Sequence, residues 1–212
     1  ESWEWDRDED KSMTMGSVFI DFDLDGLLDI YTVNYIDVVQ FTYDDQNTIN
    51  GFDHECFQNR MYRNNGNLIF TDVTEEQGLG NNGCALAVTA TDYDGDHDLD
   101  ILLGNDFGPF LQGNRMYQND RDNNTFEEQS EELGANTEMF SMGIAVADYD
   151  NDLDLDYYIS NLAANVLLEN NDGIFNNVSD IAQVTNTYAY GDSTLAVSWG
   201  NLFADIDNDG DE

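Results

Sequence analysis

The sequence predicts an all-β fold built from four-stranded antiparallel units, the architecture of propeller blades. Three observations carry this. A nine-residue acidic stretch recurs four times, starting at Asp21, Asp92, Asp148 and Asp205, at spacings of 71, 56 and 57 residues. Each copy follows a short apolar run, and in the first three a second run of β-branched, aromatic and aliphatic residues comes next, which is strand chemistry. Two further strand-like runs, joined by a turn rich in Asn, Asp or Gly, complete each of those three units. Four short strands repeated at intervals of about 40–60 residues mark propeller blades. The chain covers about three and a half of them.

Taken in order, residues 1–14 form an acidic lead-in or an edge strand, on which Trp3 and Trp5 would share a face. The first unit spans 15–80. Gly16-Ser17-Val18-Phe19-Ile20 is its first strand and Ile30-Tyr31-Thr32-Val33 its second. An insertion over 36–56 follows, with Phe41, Tyr43, Phe52, His54 and Cys56. A loop of that length is either functional or a surface elaboration that covers an edge. Arg60-Met61-Tyr62-Arg63 is the third strand, Asn64-Asn65-Gly66-Asn67 a hairpin turn, and 68–73 the fourth strand. A short helical turn ends at Gly78 or Gly80.

The second unit, 81–139, repeats this order with strands at 85–90, 101–103, 115–118 and 125–128 and a helical turn before Gly134. Pro109, the only proline, lies in a connection where it removes no ladder hydrogen bond. The third unit, 140–195, places strands at 143–147, 157–159, 165–169 and 174–178 around the turn Asn170-Asn171-Asp172-Gly173. The fourth, 196–212, has a first strand at 196–204 and most of an acidic loop. All four units belong to one propeller domain, which these residues are not expected to complete.

The acidic stretches carry the chemistry. Asp stands at positions 1, 3, 5 and 9 in three of them, and at 1, 3 and 5 in the fourth. At 4 Å and an effective dielectric near 20, one like-charge pair costs about 4 kcal/mol. A hard cation relieves this, and calcium takes six to eight oxygens at roughly 2.3–2.6 Å. An EF-hand is excluded, because it needs a Glu at position 12 and flanking helices, whereas Thr32, Leu103 and Ile159 stand there.

Asp92-Tyr93-Asp94-Gly95-Asp96-His97-Asp98-Leu99-Asp100, with Asn114-Arg115-Met116-Tyr117-Gln118-Asn119 and Thr125-Phe126, resembles the FG-GAP/VCBS repeat. Asn59 to Gly66 and Phe70-Thr71-Asp72-Val73-Thr74 follow the same pattern. The resemblance covers roughly residues 15–212. It implies calcium-binding blades like those of integrin α-subunits, cartilage-acidic-protein-like proteins and bacterial surface proteins. The implied side-chain ligands are Asp21, Asp23, Asp25 and Asp29; Asp92, Asp94, Asp96 and Asp100; Asp148, Asp150, Asp152 and Asp156; and Asp205, Asp207 and Asp209. Position 7 would give a backbone carbonyl, from Leu27, Asp98, Asp154 and Asp211. Three Ca2+ sites would be complete and a fourth cut off by the chain end. Position 6, usually Gly, is His97 in one loop and Leu153 in another, which implies strain at those sites if φ there is positive.

Net charge is −39, from 45 acids against 6 bases. Nucleic acid is therefore excluded as a partner, because affinity for it comes from Lys and Arg. Insertion into a membrane is not expected either. With 41% hydrophobic residues and 12 Phe, 11 Tyr and 3 Trp, the chain is no disordered acidic tail. Cys56 and Cys84 would pair in a secreted protein or stay free in an intracellular one. Asn123 and Asn177 head glycosylation sequons. His54 and His97 are the only histidines and offer no catalytic constellation. The expectation is an extracellular, non-enzymatic, calcium-stiffened repeat protein in adhesion or assembly. Its partners would be a protein or glycan ligand, or further copies joined through open blade edges. The alternative is a carbohydrate-binding propeller or a polysaccharide lyase or hydrolase, with insertion aromatics or Phe107 and Phe110 stacking on sugar.

Overall fold

The computed structural model describes residues 13–36, 40–186 and 196–206. The fold is all-β, with three four-stranded antiparallel sheets and one two-stranded sheet. The first sheet runs in the order β1 (Thr14–Ile20), β2 (Asp29–Asn34), β5 (Arg60–Asn64), β6 (Phe70–Asp72). The second holds β7 (Ala85–Thr91), β8 (Asp100–Asn105), β9 (Arg115–Asp120) and β10 (Thr125–Glu128), and the third β11 (Ser141–Ala147), β12 (Asp156–Asn161), β13 (Val166–Asn171) and β14 (Ile174–Asn177). Strand order follows chain order in all three, and each acidic loop joins the first strand to the second.

The insertion is not loop alone. Its β3 (Gln40–Tyr43) and β4 (Ile49–Asp53) form the two-stranded sheet, and Ile36 bridges to Cys56 at its base. Turns after β10 and β14 tighten into single-turn helices, α1 (Ser130–Leu133) and α2 (Ser179–Ala182). The first was legible from Gly134, which caps it in a left-handed conformation. The second ends on Gln183, also left-handed, and carries no glycine signal.

Sheets pack face to face with their first strands side by side, β1 beside β7 and β7 beside β11. Second-strand residues alternate between neighbours. Ile101 and Leu103 join Ile20, Tyr31, Val33 and Met61 in the core between the first two sheets. Leu102 points the other way, with Met116, into a second core holding Tyr157, Ile159, Leu168 and Phe175. Each such fully buried side chain contributes about 1.5–3 kcal/mol. The middle sheet is buried on both faces, which is why every residue of β8 is buried.

Two side-chain motifs recur and fix each sheet. At the end of the second strand an Asn (Asn34, Asn105, Asn161) donates its main-chain N–H to the Asn before the third strand (Asn59, Asn114, Asn165), at 2.8–3.0 Å. Its own Nδ2 donates to a carbonyl beside that partner, at 2.7–2.8 Å. The intervening connection can therefore vary from three residues to the whole insertion. After the fourth strand a hydroxyl (Thr74, Ser130, Ser179) accepts the N–H of Met61, Met116 or Leu167. It donates in turn to Asp72, Glu128 or Asn177 two residues back.

One expectation fails. Residues 196–204 carry no strand. In the three complete units the first strand pairs with the strand after its own loop, and among the described residues no strand fills that role beside 196–204. The segment instead lies against the third sheet. Ser198 donates to the Asn161 carbonyl at 3.1 Å, Ser160 donates to the Trp199 carbonyl, and the Phe203 ring packs edge-on against Tyr158. Among the described residues no helix is long and apolar enough to cross a membrane.

Candidate metal centres

The three complete acidic loops share one backbone plan. Positions 4 and 6 are left-handed in all of them: Leu24 and Gly26 (φ 56° and 86°), Gly95 and His97 (74° and 73°), Asn151 and Leu153 (64° and 83°). The strain expected at His97 and Leu153 is therefore real. The curl turns main-chain amides onto the carboxylates. Position 1 accepts the N–H of position 6, at 3.1, 3.0 and 3.0 Å for Asp21, Asp92 and Asp148. Position 5 accepts the N–H of position 7. Position 9 accepts the N–H of position 2 with one oxygen. Its other oxygen accepts the N–H of Asn64, Asn119 or Asn170 in the third strand, at 2.7–2.8 Å. Position 9 thus clamps the loop to the sheet.

These bonds lower the cost of negative charge without cancelling it. Burial pushes Asp100 up to about 8 and Asp156 to about 6, against their amide partners and with repulsion from neighbouring aspartates. Asp29 shifts the same way for the same leading reason. Carboxylates with raised values in a tight cluster want a compensating charge.

Three carboxylates converge at each site, with oxygens within 4.8 Å of one another: Asp21, Asp23 and Asp29; Asp92, Asp94 and Asp96; Asp148, Asp150 and Asp156. The fourth expected ligand, Asp25, Asp100 or Asp152, falls outside that sphere. The donor set is all oxygen, which suits calcium or magnesium and not zinc or copper. One oxygen each of Asp21 and Asp92 is buried with no hydrogen-bond partner, an expensive state that a bound cation would relieve. The residues therefore fit a hard divalent cation.

Position 7 varies. Leu27 has only its backbone to offer. The Asp98 side chain is buried and pairs with Arg121 Nε at 2.7 Å, while Arg121 also donates to the Asp96 carbonyl. Asp154 accepts the Asp172 N–H. Of the fourth loop only Asp205 and Ile206 are described, and Asp207, Asp209 and Asp211 lie outside the described residues.

Cys56 and Cys84 form a disulfide, joining the end of the insertion to the start of the second sheet. Their sulfurs lie close to His54, but bonded sulfurs are neither nucleophile nor metal ligand. Asn123 is exposed in the β9–β10 turn. Asn177 stands where Asp72 and Glu128 stand in the other sheets, so its sequon coincides with the hydroxyl motif of the repeat.

Residues that sequence reasoning passed over line the loops. Arg63 Nε lies 3.3 Å from Asp23, Gln118 donates to Asp94 at 2.7 Å, and Glu169 accepts the Tyr149 hydroxyl at 2.7 Å. Each immediately precedes the asparagine whose amide clamps position 9, and that position in the motif was the available signal. Asn119 and Asn170 also reach across units. Their Nδ2 groups donate to the Phe22 and Tyr93 carbonyls, inside the loop of the preceding sheet.

No curated protein matches this chain. Residues 21–103, from the first acidic loop through the strand that follows the second, match the family model of the FG-GAP-like repeat. Over those residues the chain is similar to the FG-GAP-like repeat.

Proposed function

We propose that the three sheets are blades of a calcium-binding β-propeller with a structural, adhesive or assembly role outside the cell. The observation that carries this reading is the backbone plan shared by three acidic loops, each closing around a carboxylate cluster between the first and second strands. First strands lying side by side support a radial arrangement. The disulfide supports an oxidising compartment. Calcium supplies charge compensation when bound. Asp21 and Asp92 would hold it first in their loops, because one oxygen of each is buried without a hydrogen-bond partner. The cation is structural in this reading, and the chain is not an enzyme. Protein or glycan ligands, or other copies of the chain, are its partners.

The test is thermal unfolding with and without excess chelator, with bound calcium counted on the same sample. A large fall in midpoint together with three or more ions per chain is expected. An unchanged midpoint with no bound calcium would reduce the loops to solvated turns.

A second reading has one observation in its favour. Tyr35, His54, Phe107, Phe140 and Phe110 form a chain of ring contacts across the units, and Phe110 is 78% exposed at its end. Such a row suits stacking on sugars. Binding on a glycan array that is lost in Phe110→Ala would favour this reading.

A further inference from the structure

The three loops share one backbone plan and differ in the charges around it. The residue before each clamping asparagine faces position 2 or 3 of its own loop: Arg63, Gln118 and Glu169. Arg63 brings a positive charge to Asp23, with Nε at 3.3 Å. Gln118 brings a neutral donor to Asp94, at 2.7 Å. Glu169 brings a further carboxylate. The Tyr149 hydroxyl and the Asn171 Nδ2 donate to it, at 2.7 and 2.9 Å. The loops themselves differ too. Four aspartates occupy the first, five the second and five the third, and Arg121 neutralises one in the second. Formal charge is therefore −3 at the first site with Arg63, −4 at the second with Arg121, and −6 at the third with Glu169.

We infer that this third-strand residue sets a graded calcium affinity, tightest at the Asp148 loop, intermediate at the Asp92 loop and weakest at the Asp21 loop. The inference rests on the calcium reading above. Calcium affinity follows the number of charges around the site. A divalent ion and a unit charge about 7 Å apart in water interact by roughly 1.2 kcal/mol, close to a tenfold change in affinity. Arg63 acts further as an internal competitor. It occupies Asp23 in the cation-free chain and gives up that contact when the ion binds. Glu169 has no such conflict, because its partners are neutral donors. The chain would then fill its loops in sequence as calcium rises, the third unit stiffening before the first.

Calorimetric calcium titration of the unmodified protein, Arg63→Gln and Glu169→Gln tests this. Asp21→Asn and Asp148→Asn serve to assign the weakest and tightest steps. Arg63→Gln should tighten the weakest step by about tenfold, and Glu169→Gln should weaken the tightest by a similar factor. Thermal unfolding gives a second readout. Arg63 also pairs with Glu76 at 3.3 Å and lies over the Phe22 ring, so Arg63→Gln should lower the midpoint in both conditions, but more in chelator, where Asp23 loses its partner as well. A merely structural arginine would lower both equally. Unchanged isotherms in both variants, with calcium still bound, would overturn the grading. Opposite shifts would do the same. No calcium binding by the unmodified chain would instead sink the underlying reading of the loops as calcium sites.

Discussion

At the scale of single residues, the sixth loop position shows how much a backbone angle costs. Gly26, His97 and Leu153 all adopt positive φ there. Leu153 is 89% exposed, so its side chain contributes little packing. A left-handed non-glycine residue costs about 1–2 kcal/mol, and glycine's extra unfolded-state freedom returns about half of that. Leu153→Gly should therefore stabilise the protein by about 0.5–1 kcal/mol in urea unfolding. Gly26→Ala should destabilise it by a similar amount, although an added methyl group would meet nothing. Equal and small effects in both variants would mean that the loops relax away from this conformation. The buried aspartates give a second residue-scale expectation. Asp100, at about 8, and Asp156, at about 6, titrate higher when folded than unfolded. Their protonated forms favour folding, so their contribution is full below about pH 4 and is lost as pH rises toward 8. In chelator the unfolding midpoint should fall across that window. If calcium binds the ionised carboxylates as proposed, the midpoint in saturating calcium should hold or rise. A chelated protein that gains stability from pH 4 to pH 8 would contradict the burial assigned to Asp100. The strain at position 6 was legible, because His97 and Leu153 stand where glycine is usual, but the burial of Asp100 and Asp156 was not. Aspartate spacing located the sites, but which three carboxylates converge depends on the curl that positions 4 and 6 impose.

At the scale of elements, strands were the most legible part. Their alternation and turns placed all twelve strands of the three four-stranded sheets within a few residues, because each unit repeats the same period-two pattern between the same punctuation. The inserted hairpin was not legible, since Phe41 and Tyr43 at 54% exposure bury no face that would impose a clear alternation. Residues 196–204 misled for the opposite reason. Their apolar pattern matches β7 and β11, but a strand needs a ladder partner as well as a pattern. The asparagines that tie the units together were visible only as a motif. Asn119 is buried and its Nδ2 donates at 2.9 Å to the Phe22 carbonyl of the neighbouring sheet. Asn119→Ala should cost about 1–3 kcal/mol, the penalty for an orphaned buried carbonyl. It should also raise hydrogen exchange in the first acidic loop more than in the third. Uniform exchange across both loops would argue that the bond does not couple the units. The Cys56–Cys84 disulfide acts at the same scale, closing a separation of 28 residues between the insertion and the second sheet. Replacing both cysteines with Ala should lower stability by about 2–4 kcal/mol.

At the scale of the whole molecule, the charge of −39 and the loops pull on stability through different physics, and the two can be separated. Self-repulsion of a highly charged chain is long-ranged and yields to any salt, because the screening length falls to about 10 Å at 0.1 M and about 3 Å at 1 M. Specific cation binding at the three carboxylate clusters, as proposed, would be short-ranged and would stabilise in proportion to the logarithm of free cation over its dissociation constant. Sodium chloride should therefore raise the midpoint of the chelated protein gradually, over hundreds of millimolar. Calcium should raise it more steeply at millimolar concentration, where ionic strength hardly changes. Magnesium should fall between them, since it demands a tighter octahedron and gives up its water reluctantly. The comparison is a set of melting curves at matched ionic strength. If millimolar calcium does no more than sodium of equal ionic strength, the carboxylates act only through their summed field. The left-handed curl, the amide clamps and the orphaned oxygens of Asp21 and Asp92 would then need another cause. If calcium exceeds sodium and Asp148→Asn removes most of the excess, the loop wiring converts a destabilising charge into a folding determinant, one sheet at a time.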